Sequence, residues 1–206
     1  MKILITAGAT WVKIDEVRII TNRFTGRTGF DLSKRLKAKG HKVTLLVNPH
    51  CLGKIQGIKV VPYRYLYEFK ARIQELLSRG KFDIVIHSAA VSDYKLKKTY
   101  KGKIASGQKR LKLALEPAPK IIKRIRKLSP EALLIQFKLE LKSKGLVNKA
   151  YESLLANKSD FVVANALEDI NTKYLINSQG QVAKLKSLGD LASKIDKICC
   201  AFSKIR

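Results

Sequence analysis

The apolar positions of this chain fall into short continuous runs that alternate with longer stretches of helical spacing. Ile3, Leu4 and Ile5 form the first run, and Thr6-Ala7-Gly8-Ala9-Thr10 ends it. Further runs predict strands over 41–47, 58–61, 82–86, 111–115, 132–137 and 160–164. Apolar residues spaced three and four apart predict helices over 29–40, 66–77, 120–128, 147–155 and 188–202. Two strand-like segments joined by Ser178-Gln179-Gly180 predict a hairpin over 172–186. Strand–helix–strand alternation at these intervals predicts an α/β chain, with a doubly wound, mostly parallel, Rossmann-like sheet. At 206 residues one domain is expected.

A first strand that runs into a small-residue turn is where an open α/β sheet binds phosphate, on backbone N–H groups and a helix N-terminus. Here the turn departs from the dinucleotide fingerprint, because Gly26 and Gly29 lie far beyond Gly8. Between them comes a polar insert, residues 12–25, with Asp15, Arg18, Thr21, Asn22 and Arg23. Ile14, Val17, Ile19 and Ile20 supply it with apolar anchors, which predicts an ordered loop folded over the strand ends. The segment from His87 through Ser88, Ala89 and Asp93 leaves the 82–86 strand at the same edge and should face the Gly8 turn.

Charge changes this picture more than composition does. Lys and Arg number 42 against 16 acids, a formal net charge of +26. That balance favours polyanionic partners. The cations are spread over predicted helix faces without interleaved aromatic platforms, however, so a polynucleotide is disfavoured as the partner. The densest stretch is a flap over 95–112 that holds no acid. It reads equally as a solvated face, a polynucleotide contact or a lid over a triphosphate. Cys51, Cys199 and Cys200 are too few for a disulfide framework, and His41, His50 and His87 lack ligand spacing. Reduced thiols, no membrane span, no signal peptide, no metal site and a cytoplasmic location are the expectations.

The motifs also carry a resemblance. "ITAGAT…IDEVRIITNRFTGRTG", "SAAVSDY", "GKIAS", "EPAPKII", "QFKLE" and "DFVVAN" follow one another in this chain. In that order they resemble the motifs of phosphopantothenoylcysteine synthetase, the ligase of coenzyme A biosynthesis, in a form without the flavin decarboxylase module. Ala9 stands where the family has a second glycine, which requires a negative φ there. Ala105, Ser106, Ser153 and Asn157 stand where many members carry lysines.

The resemblance implies ligation of 4'-phosphopantothenate to cysteine through an acyl-nucleotidylate, with CTP or ATP as cosubstrate and Mg²⁺ on its phosphates. It places Gly8, His87, Ser88, Ala89, Asp93, Lys103, Ala118, Pro119 and Phe137 at the nucleotide. Asn22, Arg23 and Ala89 go to the acyl substrate, with Asn22 and Lys103 as the catalytic pair. A lysine at the α-phosphate would offset the repulsion between two anions, and an amide would hold the acyl phosphate without adding charge. A homodimer through the 172–186 hairpin and a separate decarboxylase for the next step are implied as partners. Two rivals are a basic nucleic-acid-binding α/β protein and a short-chain nicotinamide-dependent reductase, for which Tyr94 and Lys98 have the Tyr-x-x-x-Lys spacing.

Overall fold

A computed structural model describes residues 1–51 and 56–205, leaving out the side chains of Cys51 and Ile205. The chain opens with β1 (Lys2–Ala7), β2 (Trp11–Lys13), β3 (Ile19–Thr21) and α1 (Arg27–Ala38). There follow β4 (Lys42–Val47), β5 (Lys59–Pro62), α2 (Leu66–Arg79), β6 (Ile84–His87) and β7 (Tyr94–Leu96). Next come β8 (Leu115–Pro117), α3 (Ile121–Leu128), β9 (Leu133–Glu140), α4 (Leu146–Asn157) and β10 (Phe161–Ala166). The chain closes with β11 (Lys173–Asn177), β12 (Val182–Leu185) and α5 (Leu188–Ile205).

Eight strands form one sheet in the order β12-β11-β10-β9-β6-β1-β4-β5. From β10 to β5 all neighbours are parallel, while β11 and β12 are antiparallel additions. The central strands are apolar on both faces. Ile3 and Ile5 meet α1 and α5 through Leu32, Leu36, Leu191 and Ile195. Leu4 on the opposite face meets α2 and α3 through Phe69, Ile73, Ile121 and Ile125. A strand covered on both sides reads as a continuous run, as Ile3-Leu4-Ile5 does. Strand order reverses at β1, since β4 and β5 are added on one side and β6, β9 and β10 on the other. The crevice between the carboxyl ends of β1 and β6 is therefore the switch point, where open α/β sheets take ligands.

Four local features differ from the sequence expectations. The 12–25 insert is a two-stranded ribbon, with Trp11, Val12 and Lys13 opposite Thr21, Ile20 and Ile19. Its turn is closed by the Asp15 carboxylate, which accepts from the Val17 and Arg18 N–H groups at 2.8 and 2.7 Å. Helix α1 starts at Arg27, behind Gly26 in the left-handed region, so Arg27 and Thr28 are helical ahead of the expected start at Gly29. The strand expected over 111–115 forms at Leu115–Pro117, because register is set by β7, where Leu96 faces Leu115. Strand β9 continues past Phe137 to Glu140 along β10. Tyr94 lies in β7 and not on a helix, which removes the helical Tyr-x-x-x-Lys pair that a reductase needs. Among the described residues no helix is long and apolar enough to cross a membrane. Cys199 and Cys200 are free thiols, and the expectation for the Cys51 thiol lies outside the described residues.

Candidate functional site

Beyond the sheet edge the two loops of the switch point zip together. The Ala90 N–H donates to the Gly8 carbonyl at 3.0 Å, and the Thr10 N–H donates to the Ala90 carbonyl at 3.3 Å. Thr6 and Thr10 cross-link them from within. The Ser88 hydroxyl donates to the Thr6 carbonyl (2.7 Å), and the Ser92 N–H donates to Thr10 Oγ1 (2.9 Å). Gly8 is held from below by the buried Tyr63, whose hydroxyl lies 2.8 and 2.9 Å from the Ala7 and Gly8 carbonyls. The Asn48 amide donates to the Ala9 carbonyl at 2.8 Å. Ala9 has a negative φ, so alanine is unstrained at the position where a second glycine was expected.

The start of α1 is pressed into this turn. A Cβ on Gly26, whose φ is +85°, would lie 2.2 Å from Gly8 N and 2.6 Å from Gly8 Cα. One turn into the helix, a Cβ on Gly29 would lie 2.5 Å from Ser88 Oγ and 2.7 Å from Ala7 Cβ. Two backbones thus touch where side chains would have kept them apart. Helix α1 has no side-chain cap and no acid in its first turn. Its leading N–H groups and dipole are consequently free to face an anion at the crevice.

Asn22 sits at the mouth of the crevice, where one amide hydrogen is donated to the Ala90 carbonyl at 3.1 Å. This is a loop bond and not a helix cap, since Gly26 occupies the cap position. Thr21 beside it donates to the Thr10 carbonyl at 3.1 Å, fastening the base of the ribbon to the turn. A cavity of about 230 Å³ opens here, lined by Ala9, Trp11, Asn22, Arg23, Asn48 and His50 among others. Trp11 forms one wall, with the His50 ring edge-on at 5.0 Å and Tyr65 at 5.9 Å behind it.

His87 lies lower, on the α2 face. Its ring stacks on Phe69 with centroids 6.1 Å apart, and Nδ1 is 2.9 Å from Thr6 Oγ1. Burial pushes its pKa down to about 4, so the imidazole is neutral at pH 7. Asp93 pairs with Lys120 at 2.6 Å, and its carbonyl accepts from the Ala118 N–H at 2.8 Å. Asp93 and Ala118 therefore come together. Pro119 lines a different cavity, of about 390 Å³, on the far side of Trp11 with Tyr67, Lys70 and Lys95. Phe137 is half-buried against the core on the α1–α5 face, in register with Val163.

Lys103 does not join the crevice cluster through any bond among the described residues. The flap around it is fastened to the ribbon's turn. The Glu16 N–H donates to the Gly102 carbonyl (3.1 Å), and the Ile104 N–H donates to the Asp15 carboxylate (3.0 Å). Arg18 ties both sides, to Asp15 at 2.7 Å and to the Ile104 carbonyl at 3.2 Å. Those bonds, the Ile104 N–H above all, hold the Asp15 carboxyl at about 2. Ile104 and Leu113 add to a small apolar cluster of Val12, Ile14 and Leu96. The flap is thus anchored at Gly102 and Ile104, while residues 97–103 and 105–112 stay exposed to solvent. Its anchor lies three ladder pairs along the ribbon from Asn22's end, about 10 Å at about 3.3 Å per residue.

Ser153 and Asn157, the positions where lysines were expected, belong to a closed neutral network. Gln136, 2% exposed, donates to Ser153 Oγ at 3.2 Å and accepts from Asn157 and Ser159 at 3.0 and 3.1 Å. A buried amide satisfied in this way leaves no place for an ammonium without losing a partner. Among the described residues no three His, Cys, Asp or Glu side chains could hold a metal ion. Sequence reasoning missed Tyr63, Asn48, Trp11 and the Asp15 clasp. Only the polar Asp15-to-Arg18 spacing within an apolar hairpin gave any signal of them.

A family model described as DNA/pantothenate metabolism flavoprotein C-terminal domain matches residues 1–197. The chain is 36% identical over 169 residues to the Coenzyme A biosynthesis bifunctional protein CoaBC of Thermococcus kodakarensis. That alignment covers 81% of this chain and 41% of the relative, so the chain spans less than half the length of that curated protein. The solved structure of the DNA/pantothenate metabolism flavoprotein from Streptococcus pneumoniae is similar with TM-score 0.88 and 26% identity, over 98% of this chain and 99% of that one. The solved C-terminal domain of a Coenzyme A biosynthesis bifunctional protein CoaBC is similar with TM-score 0.83 and 26% identity, over 100% and 96% of the two chains.

Proposed function

Because this chain belongs to the family of the DNA/pantothenate metabolism flavoprotein C-terminal domain, we propose that it is a ligase joining 4'-phosphopantothenate to cysteine, driven by CTP or ATP. The observation that carries the proposal is the contact of the Gly8 and Gly26 backbones under an uncapped helix start. That contact clears a path for phosphate to the α1 N–H groups at a switch point. The names of the similar proteins, which refer to coenzyme A biosynthesis, support the substrate pair.

In this reading a carboxylate oxygen of phosphopantothenate attacks the α-phosphorus of the nucleotide, and the bond to pyrophosphate breaks. The cysteine amine then attacks the acyl carbon, loses a proton, and releases the nucleoside monophosphate. No enzyme nucleophile is required, because the substrate carboxylate is one. Asn22, with one hydrogen spent on Ala90, has a second to offer the acyl phosphate, and Arg23 in the same cavity meets the substrate's anionic end. Ala89 and Ser88 floor the crevice, and Phe137 lies under the base. Lys103 stabilises charge at the α-phosphate once the flap of one copy reaches a site. A homodimer joined at β11–β12, where Val182 is exposed on the edge strand, supplies that second copy. Mg²⁺ would accompany the nucleotide as counter-ion to its phosphates. Positioning supplies much of the remaining rate. The product keeps the cysteine carboxylate, which a decarboxylation removes in the next step.

The test is pyrophosphate release from CTP and from ATP, with phosphopantothenate present and with cysteine added or withheld. Release that depends on phosphopantothenate, followed by amide formation only with cysteine, is expected. No release from either nucleotide would overturn the reading. So would tight, salt-sensitive retention of RNA in its place.

A further inference from the structure

The opposite rim of the sheet carries a feature that the ligase reaction does not use. At the amino ends of β1, β4 and β5 a concave basin of about 490 Å³ is walled by Lys2, Lys37, Lys42, Lys59, Arg79 and Lys81; among the described residues no carboxylate lines it, and the nearby Asp83 carboxylate accepts from the Lys2 backbone N–H at 2.7 Å. The strand lysines converge by register. Lys2 lies directly across from Lys42, and Lys59 is paired with Thr44, two residues along from Lys42. All three point to the α2 side. Leu4, Leu46 and Val61, an even number of residues further along the same strands, pack into the α2–α3 core. Lys37 reaches in from α1, its Cε 3.6 Å from where a Gly57 Cβ would stand.

Ordinary structural causes account for part of this. Arg79 and Lys37 sit in the last turns of their helices, where cations complement the dipole. Arg79 also shares Glu75 at 3.3 Å. That reasoning does not reach Lys2, Lys42 and Lys59, which stand on neighbouring strands. Like charges directly across a ladder are destabilising. A cleft walled by one sign of charge focuses its field and concentrates counter-ions. The basin's size falls within the range of about 300–1,000 Å³ typical of small-molecule sites. Its cations are ammonium groups with one guanidinium, which read charge density more than the planar fork of a single carboxylate.

We propose that this basin is a second anion site, taking a small ligand that carries a run of phosphates. Inorganic tripolyphosphate is the probe, titrated into the full chain in about 0.15 M salt, where longer-range surface attraction is screened. Amide NMR shifts locate it. Saturable shifts at Lys2, Lys42, Lys59 and Lys81 are expected, with no matching response to orthophosphate. The Lys42→Gln/Lys59→Gln variant should weaken those shifts about tenfold or more. Lys194→Gln/Lys197→Gln on α5, equal in charge removed, should leave them as they are. Single Lys59→Gln repeats the test if the double variant does not fold. Shifts confined to the Gly8 and Ser88 rim would overturn the proposal, and so would equal weakening by both double variants. Binding of a single-stranded RNA oligomer at the basin, in preference to tripolyphosphate and with a steep salt dependence, would also overturn it.

Discussion

Gly26→Ala tests the crevice most directly. At φ +85° an L-residue is in the left-handed region, which costs about 1–2 kcal/mol. The new methyl would also stand 2.2 Å from Gly8 N, over 1 Å inside ordinary contact, against backbone that cannot rotate away. The Gly8 turn or the α1 start must therefore move by about 1 Å, and a displacement of that size at a reacting group costs about 100-fold in rate. Gly40→Ala is the control. Gly40 has nearly the same φ, +88°, with nothing within 4 Å of its would-be Cβ. Both variants should lose Tm by about 2–8 °C from the conformational term. Only Gly26→Ala should also lose about 100-fold in kcat/KM for phosphopantothenate-dependent pyrophosphate release. Wild-type turnover in Gly26→Ala, with the Tm of the control, would refute the idea that close backbone approach builds the site.

Lys103→Gln should abolish pyrophosphate release, whereas Asn22→Asp should still release it but form no amide; product analysis by mass spectrometry separates the two. Asp15→Asn removes the clasp between ribbon and flap, so limited proteolysis should cut within residues 97–110 faster at pH 7. The wild-type clasp itself should survive until pH falls from about 4 towards about 2, because a depressed carboxyl stabilises above its unfolded pKa and is lost on protonation. His87 has the same sign in a higher pH window: the unfolded imidazole takes up a proton near pH 6.5 and the folded one only near 4. Wild-type Tm should therefore fall between pH 7 and pH 5 by more than that of His87→Gln, as calorimetry at the two pH values would report.

The strands and helices of the sheet were legible because each is encoded by its own neighbours. Ile3-Leu4-Ile5 is a two-sided apolar run, and the α2 pattern of Phe69, Ile73 and Leu77 repeats every four residues on one face. The ribbon was not, since three ladder pairs lie under a polar veneer. Strand β8 was displaced because alternation says which residues can pair and leaves the partner open.

Local order along the chain, then, was determined by the sequence alone: the succession of strands and helices, the small-residue turn after β1, and the motifs that mark the family. Contacts between residues far apart in number were decided only by the tertiary structure. The Gly26 backbone lies on Gly8, Tyr63 sits beneath the turn, Asp15 grips Ile104, and three lysines meet at the far rim. The reason is physical. Periodicity is set by bonds between near neighbours, whereas these contacts depend on strand order and register, which only the packed sheet specifies.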